Sequence, residues 1–368
     1  MMGCSVVPMK YATKWKWENI WLIFIGLGQV VFPLILVLVT VPRSWHIYAG
    51  VRFSSLLIAI LFGIGWGIGN ALAGIGYTML GVGLGMSLVL GLTAASGSLV
   101  PLAVFFPGRL ITSSALGLYA GVLVMVGGLV LSSQAGRLRQ AGQRKDEISA
   151  VADLSAFGKG KFRTGLIVCI VAGILSSMLN LAFVFADSIR VLALMAGASA
   201  SAAVNTLWLP ILIAGFLPTL AYCSYLLTEN RSWSGFLAPG TGSHWMIAVL
   251  MGLLYLGGLS LYGIGAVKLG EMGAVLGFPI FMSTIVLTGN LAGVLTGEWR
   301  TSQHRAYRYG VCGMLLLIAS IVIIGLASHS DNKPVESRKL RGSALRHEHP
   351  NTPGAYLAAT RTWADAKS

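Results

Sequence analysis

The chain alternates between long apolar runs and short polar segments, and the apolar runs are long enough to cross a lipid bilayer. A helix rises about 1.5 Å per residue, so about 20 apolar residues span the roughly 30 Å hydrocarbon core of a membrane. Nine runs reach that length, at about 19–40, 54–80, 84–106, 113–133, 164–186, 203–227, 244–267, 272–296 and 307–327. The pattern therefore predicts an all-α integral membrane protein with nine transmembrane helices.

Two polar segments interrupt this pattern and divide the chain. The segment 134–163 carries seven lysines and arginines and separates the first four predicted spans from the last five. The segment 328–368 is polar and lacks hydrophobic periodicity, which predicts a disordered tail. The predicted organisation is a first half at 1–133, a basic loop at 134–163, a second half at 164–327 and a tail at 328–368.

The composition supports a membrane protein and excludes several other classes. Of the 368 residues, 55% are hydrophobic and 10% are charged, whereas soluble domains have about 25% charged residues. The net charge of +14 would suit a nucleic-acid-binding protein, but the basic residues lie in short loops between apolar runs. Three of the four cysteines lie inside apolar runs, so the sequence predicts neither a metal site nor a disulfide framework.

The basic residues also predict how the spans are oriented. Fourteen lysines and arginines lie in the loops on the side of Lys10, and five lie in the loops on the opposite side. Loops rich in lysine and arginine stay in the cytoplasm, so we expect the central loop there. Nine spans then place the C-terminal tail on the outer, periplasmic side, although it holds seven lysines and arginines. Residues far from a span end carry little weight in this rule.

A glycine-rich stretch in the second span is repeated in the seventh. The segments GIGWGIGNALAGIGYTMLG at 63–81 and GLLYLGGLSLYGIGAVKLG at 252–270 share eight identical positions, and Trp66 falls on Tyr255. The two copies are five crossings apart, an odd number, so they face opposite ways across the membrane. Inverted repeats are typical of transporters that rock between two access states around a central site. Such a repeat implies five spans per half, but the first half shows four.

Six short motifs follow one another along most of the chain: PMK at 8–10, KWKWENIW at 14–21, GIGWGIGN at 63–70, LGVGLGMS at 80–87, GILSSMLN at 173–180 and GEW at 297–299. Together they resemble the L-rhamnose–proton symporter family of the drug/metabolite transporter superfamily. The resemblance implies ten helices in two inverted five-helix repeats, and proton-coupled uptake of a deoxysugar across a bacterial inner membrane. The family's first helix ends just before a PMK-like segment, which implies that most of that helix is absent here.

A sugar site near the bilayer midplane requires amides that match hydroxyl groups and aromatic faces that pack on the sugar ring. The candidate substrate-binding residues within the spans are Trp66, Asn70, Asn180, Asn205, Trp208, Tyr255, Tyr262 and Asn290. Asn70 is the strongest candidate, because it lies in the repeated stretch one helical turn from Trp66. Alternatively, the asparagines join helices by hydrogen bonds, and the tyrosines pack or anchor at the membrane interface.

Proton coupling normally requires a carboxylate or histidine in the pathway, but no Asp, Glu, Lys, Arg or His lies deep within any predicted span. The ionisable residues at span ends are Glu18, Asp187, Glu271, Glu298, His46, His244 and His304. Glu271, Glu298 and Asp187 are the proton-coupling candidates. Glu271 and Lys268 flank the second glycine turn at the mouth of the repeat, and a surface ion pair is the alternative role for Glu271.

The favoured function is secondary active transport, with uptake of L-rhamnose or a similar monosaccharide and protons by alternating access. The alternative that the protein exports another small metabolite, or facilitates its diffusion, stays open. A membrane-embedded enzyme or sensor is less favoured, because the sequence contains no HExxH or GxSxG motif and no pair of intramembrane Asp or His residues. The expected partners are a monosaccharide, protons and membrane lipids, without a metal or cofactor.

Overall fold

The apolar runs fold into α-helices, and the part of the chain that the structure describes contains no β-strand. The structure is a computed structural model and describes residues 1–143, 159–297, 299 and 304–331. Residues 144–158 of the basic loop, Glu298 and nearly all of the predicted tail therefore lie outside the described residues. The compact unit considered below comprises Met1–Ser328.

Within the described ranges, thirteen α-helices follow one another, together with short 3₁₀ turns at Met2–Cys4, Val7–Tyr11, Pro107–Arg109 and Trp233–Leu237. The helices are α1 (Trp17–Gly26), α2 (Phe32–Thr40), α3 (Ser44–Gly50), α4 (Phe53–Leu80), α5 (Val82–Phe105), α6 (Ser113–Gln143), α7 (Lys159–Ser176), α8 (Met178–Phe185), α9 (Ser188–Met195), α10 (Ala200–Glu229), α11 (Gly242–Lys268), α12 (Gly273–Leu295) and α13 (His304–Asp331).

Nine helical stretches within the described ranges are long and apolar enough to cross a membrane. The first joins α1 and α2 through a π-helical turn at Leu27–Val31. The fifth runs through α7, α8 and α9, which are separated by short breaks. The other seven each lie within a single helix, and together the nine agree with the nine predicted spans. The chain is thus a multi-pass membrane protein.

The two copies of the repeated stretch end in the same kind of turn. Gly81 follows α4 with a φ of 80°, and Gly270 lies just after α11 with a φ of 83°. Positive φ values are strained for residues with a Cβ but are readily adopted by glycine. The final glycine of each copy therefore allows the chain to leave one span and enter the next.

Helix α4 lies between α7 and α10 and packs closely against both because its contact positions are glycines. A Cβ at Gly67 would collide with the carbonyl oxygen of Gly215 in α10 and lie 3.0 Å from Cγ of Pro218. A Cβ at Gly69 would lie 2.6 Å from the backbone nitrogen of Ser176 in α7. Small residues of this kind let membrane helices approach until their backbones touch.

One end of the bundle is held by hydrogen bonds from the segment before α1 and the first turn of α1 to the loop before α11. We call it the basic end, because Lys14 and Lys16 lie there. The bonds that cross between these two segments are Lys14 Nζ to Pro239 O (3.3 Å), Trp15 Nε1 to Gly235 O (2.9 Å), Lys16 Nζ to Asn230 O (3.0 Å) and Asn19 Nδ2 to Ser232 O (2.9 Å). The buried carboxylate of Glu18 adds to this contact, accepting from Ser232 Oγ at 2.7 Å and from Asn230 Nδ2 at 3.0 Å.

The glycine contacts predict a selective effect of adding one methyl group to α4. Gly67→Ala inserts a Cβ against the α10 backbone and should cost about 1–3 kcal/mol through overpacking. Gly74→Ala is the matched control, because nothing lies within 4 Å of a Cβ at that position. Thermal unfolding of the purified proteins in detergent should show a lower melting temperature for Gly67→Ala alone. Equal melting temperatures for the two variants would contradict the close α4–α10 contact.

Candidate functional site

The amide of Asn180 connects four helices in the interior. Asn180 is fully buried in α8, just after the break between α7 and α8 at Ser177. Its Nδ2 donates to Gly97 O of α5 at 2.7 Å and to Ala274 O of α12 at 3.1 Å. The hydroxyl of Tyr262 in α11 donates to its Oδ1. All the hydrogen-bonding groups of this side chain are therefore used in joining helices.

Aromatic rings from three helices surround Tyr262. The ring of Phe183 in α8 stacks on Trp208 of α10 with centroids 5.0 Å apart, and the ring of Phe281 in α12 stacks on Tyr262 at 4.6 Å. Trp208 and Tyr262 lie 6.1 Å apart. We call Asn180, Phe183, Trp208, Tyr262 and Phe281 the outer cluster, because it lies in the half of the bundle remote from the basic end.

Several buried polar atoms in the interior have no hydrogen-bond partner. They come from the π-helical turn and four helices: Gln29 Oε1, Ser98 Oγ of α5, Ser176 Oγ of α7, Trp208 Nε1 of α10 and Ser283 Oγ of α12. Buried polar groups in proteins are nearly always hydrogen-bonded. Unpaired donors and acceptors are groups that the hydroxyls of a small solute can satisfy.

A second polar contact lies closer to the basic end, between Gln29 and Tyr255. The amide Nε2 of Gln29 donates to the hydroxyl of Tyr255 in α11 at 3.1 Å, and both side chains are buried. Gln29 was not among the residues predicted from the sequence. It meets the criterion that selected the asparagines, because it carries an amide in the middle of the first apolar run. Its π-helical turn is a further indicator, since such turns occur frequently at functional sites.

A cavity of about 240 Å³ opens between α11 and α12. Tyr262 and Phe281 of the outer cluster line it, together with Thr284 and Thr288 of α12 and the first residues of the chain. Small-molecule pockets typically measure about 300–1,000 Å³, so this cavity is smaller than that range. Its walls are mainly glycine and aliphatic side chains, with the two threonines as polar groups.

The remaining predicted binding residues lie elsewhere. Trp66 is buried against α10, where a Cβ at Gly215 would lie 2.5 Å from its Cε3. Asn70, one turn further along α4, is exposed. Asn205 joins α10 to α11 by accepting from Ser260 Oγ at 3.2 Å. Asn290 is half-buried in α12 and its Nδ2 has no partner.

The proton-coupling candidates that the structure describes are both paired with arginines. Asp187 forms a two-point ion pair with Arg190 at 2.6 and 2.8 Å. Glu271 pairs with Arg109 at 2.7 Å rather than with its sequence neighbour Lys268, and its side chain is 74% exposed. Glu298 lies outside the described residues. Within the described ranges, no group of three or more His, Cys, Asp and Glu residues could hold a metal ion.

Comparison with known proteins assigns the chain to a family. The family described as L-rhamnose-proton symport protein (RhaT) matches residues 1–330. The chain belongs to this family. The resemblance read from the six motifs is therefore confirmed, and because the family is a transporter family, the chain is not an enzyme.

Curated relatives match along nearly the same length. The L-rhamnose-proton symporter of Cronobacter sakazakii (strain ATCC BAA-894) is 25% identical over 333 residues, which cover 88% of this chain and 93% of the relative. The L-rhamnose-proton symporter of Yersinia pestis (strain Pestoides F) is 26% identical over the same shares of the two chains. No solved structure matches the chain.

The hydrogen bond from the Tyr262 hydroxyl to Asn180 should contribute measurably to the stability of the folded protein. Tyr262→Phe leaves Asn180 Oδ1 buried without its donor, which should cost about 1–3 kcal/mol. Tyr225→Phe is the control, because the side chain of Tyr225 is exposed. We expect a lower melting temperature in detergent for Tyr262→Phe and an unchanged one for Tyr225→Phe. If both variants melt like the parent protein, the Tyr262–Asn180 bond is not part of the folded state.

Proposed function

We propose that the protein takes up L-rhamnose or a similar monosaccharide together with protons, by alternating access between two inverted repeats. The observation that carries this proposal is membership of a family whose curated relatives are named L-rhamnose-proton symporters. The aromatic faces and the unpaired polar atoms of the interior support this proposal, because a sugar site uses groups of these two kinds.

The contacts of equivalent glycines support an inverted repeat. Gly63 in the second span would place a Cβ 3.0 Å from Cβ of Ala214 in α10, the sixth span. Its equivalent Gly252, in the seventh span, would place a Cβ 2.8 Å from Cε2 of Phe32 in the first span. A duplication that shifts every span by five pairs the first with the sixth and the second with the seventh, so these two contacts are reciprocal.

The aromatic positions of the repeat follow the same rule. Trp66 packs on Gly215 of the sixth span, and its equivalent Tyr255 packs on Gly28 of the first span, where a Cβ would lie 3.1 Å from its ring. Gly69 faces α7, and its equivalent Gly258 faces the segment before α1, with a Cβ 2.8 Å from the nitrogen of Met2. These pairings support the two halves 1–133 and 164–327 as the units that move.

We propose that Asn180, Trp208, Tyr255 and Tyr262 form the walls of the sugar pathway. The basic end lies in the cytoplasm of a bacterial cell, because the loops richer in lysine and arginine lie there. The Arg109–Glu271 ion pair then lies at the periplasmic end. We propose Asp187 and Glu271, each paired with an arginine, as proton-coupling residues on the periplasmic side, and Glu298 as a third candidate near the basic end.

Transport by intact cells tests the proposed function. Bacteria that lack other rhamnose transporters and express this chain should accumulate labelled L-rhamnose above the external concentration, and a protonophore should abolish the accumulation. Cells with the empty vector are the control. Equilibration without accumulation would indicate a facilitator, and faster loss from preloaded cells would indicate an exporter; either result contradicts proton-coupled uptake.

A substitution of Asn70 tests whether the repeated stretch 63–81 lines the sugar pathway. If its amide binds a sugar hydroxyl, Asn70→Ala should lower the apparent affinity for L-rhamnose about threefold to tenfold, since one neutral hydrogen bond contributes about 0.5–1.5 kcal/mol. Thr78→Ala is the control on the same helix, because Thr78 is exposed and bonds to its own helix. With normal membrane levels, unchanged uptake by Asn70→Ala would remove Asn70 from the site.

A further inference from the structure

The Gln29–Tyr255 contact lies at mid-depth of the bundle. Gln29 is the thirteenth of the 24 residues of the span Trp17–Thr40, and Tyr255 is the fourteenth of the 27 residues of Gly242–Lys268. By contrast, Tyr262 of the outer cluster is the twenty-first residue of the same span. Secondary transporters bind their substrate near the bilayer midplane, between the two repeats. Gln29 and Tyr255 lie at that depth and belong to different predicted halves.

The backbone around Gln29 departs from a regular α-helix. The π-helical turn at Leu27–Val31 carries Gln29 at its centre. Such turns are rare and occur frequently at functional sites. The neighbouring Gly28 lets Tyr255 approach, since a Cβ there would lie 3.1 Å from Cδ1 of Tyr255 and 3.4 Å from Cα of Gly252. The local structure thus brings the phenol and the amide together.

Only one of the two polar atoms of the Gln29 amide has a hydrogen-bond partner. Its Nε2 donates to the hydroxyl of Tyr255, while its Oε1 is buried without a hydrogen-bond partner, and the residue is only 3% exposed. If the amide is turned over so that its nitrogen and oxygen change places, one of the two atoms still bonds to Tyr255 and the other is still unpaired. An unpaired buried polar atom costs about 1–3 kcal/mol. A ligand hydroxyl at this position would remove that cost.

We propose that Gln29 and Tyr255 bind neighbouring hydroxyl groups of the transported monosaccharide at the centre of the membrane. Gln29 pairs with one hydroxyl through its free amide atom, and the phenol of Tyr255 pairs with the next oxygen of the sugar ring. Phe24, whose ring lies edge-on to Tyr255 at 5.8 Å, supplies an apolar wall beside them. The assignment rests on the proposed function, because it names a contact within the same pathway.

Replacement of the amide by an apolar side chain of similar length tests the assignment. The full-length protein and its Gln29→Leu variant are compared for uptake of L-rhamnose and of deoxy analogues that each lack one hydroxyl. We expect Gln29→Leu to raise the KM for L-rhamnose about tenfold with little change in maximal rate. For the analogue that lacks the hydroxyl bound by Gln29, we expect parent and variant to have equal KM values. Gln134→Leu, the same change at a half-buried position of α6, is the control.

Two outcomes would overturn the assignment, and they are distinguishable. If the parent protein transports L-rhamnose and Gln29→Leu shows the same KM across the panel, Gln29 does not contact the sugar. The second outcome is that the parent protein takes up no sugar and shows no rise in melting temperature with any sugar in detergent. In that case the proposed function fails, and the assignment fails with it. Should Gln29→Leu not reach the membrane, Gln29→Asn keeps the amide but shortens it. A weaker thermal shift with L-rhamnose is then expected, and an unchanged shift would contradict the proposal.

Discussion

Close helix approach through glycine is the constraint on which the rest of the structure depends. Within a bilayer, apolar surfaces gain little by leaving the lipid, so helices associate by close packing and by hydrogen bonds. Gly63 and Gly67 bring α4 onto α10, and Gly252 brings α11 onto the first span. Because α4 and the first span belong to one predicted half and α10 and α11 to the other, these contacts hold the halves together along smooth surfaces.

Polar contacts are added to this glycine framework at separate depths. Asn180 connects α5, α8, α11 and α12 in the half remote from the basic end, and Gln29 meets Tyr255 near the middle. The Glu18 carboxylate joins α1 to the loop after α10 at the basic end. The Asn180–Gly97 bond, the Gln29–Tyr255 bond and the bonds to Glu18 cross between the predicted halves, so a movement of one half against the other must break and remake them. A solute or a proton can bias such a movement only by binding the two states differently.

Hydropathy was sufficient to predict the spans, because every backbone group in lipid must be bonded within its own helix. Residue type made Asn180, Trp208 and Tyr262 candidates, but it could not show that they lie close together. The partners of Asn180 are backbone carbonyls of Gly97 and Ala274, whose positions depend on tertiary packing. Similarly, Glu271 pairs with Arg109, 162 residues away, instead of the nearby Lys268. Gln29 was not among the candidates although its amide lies in the middle of an apolar run, and its π-helical turn has no sequence pattern that marks it.

Distance measurements at the two ends of the bundle test the central claim of alternating access most directly. Spin labels at Trp17 and Trp233 report on the basic end, and labels at Ile111 and Met195 report on the opposite end; all four positions are exposed. In liposomes, with the four native cysteines replaced, addition of L-rhamnose at low pH should lengthen one distance and shorten the other. Two unchanged distances, or two that change in the same direction, would contradict the account.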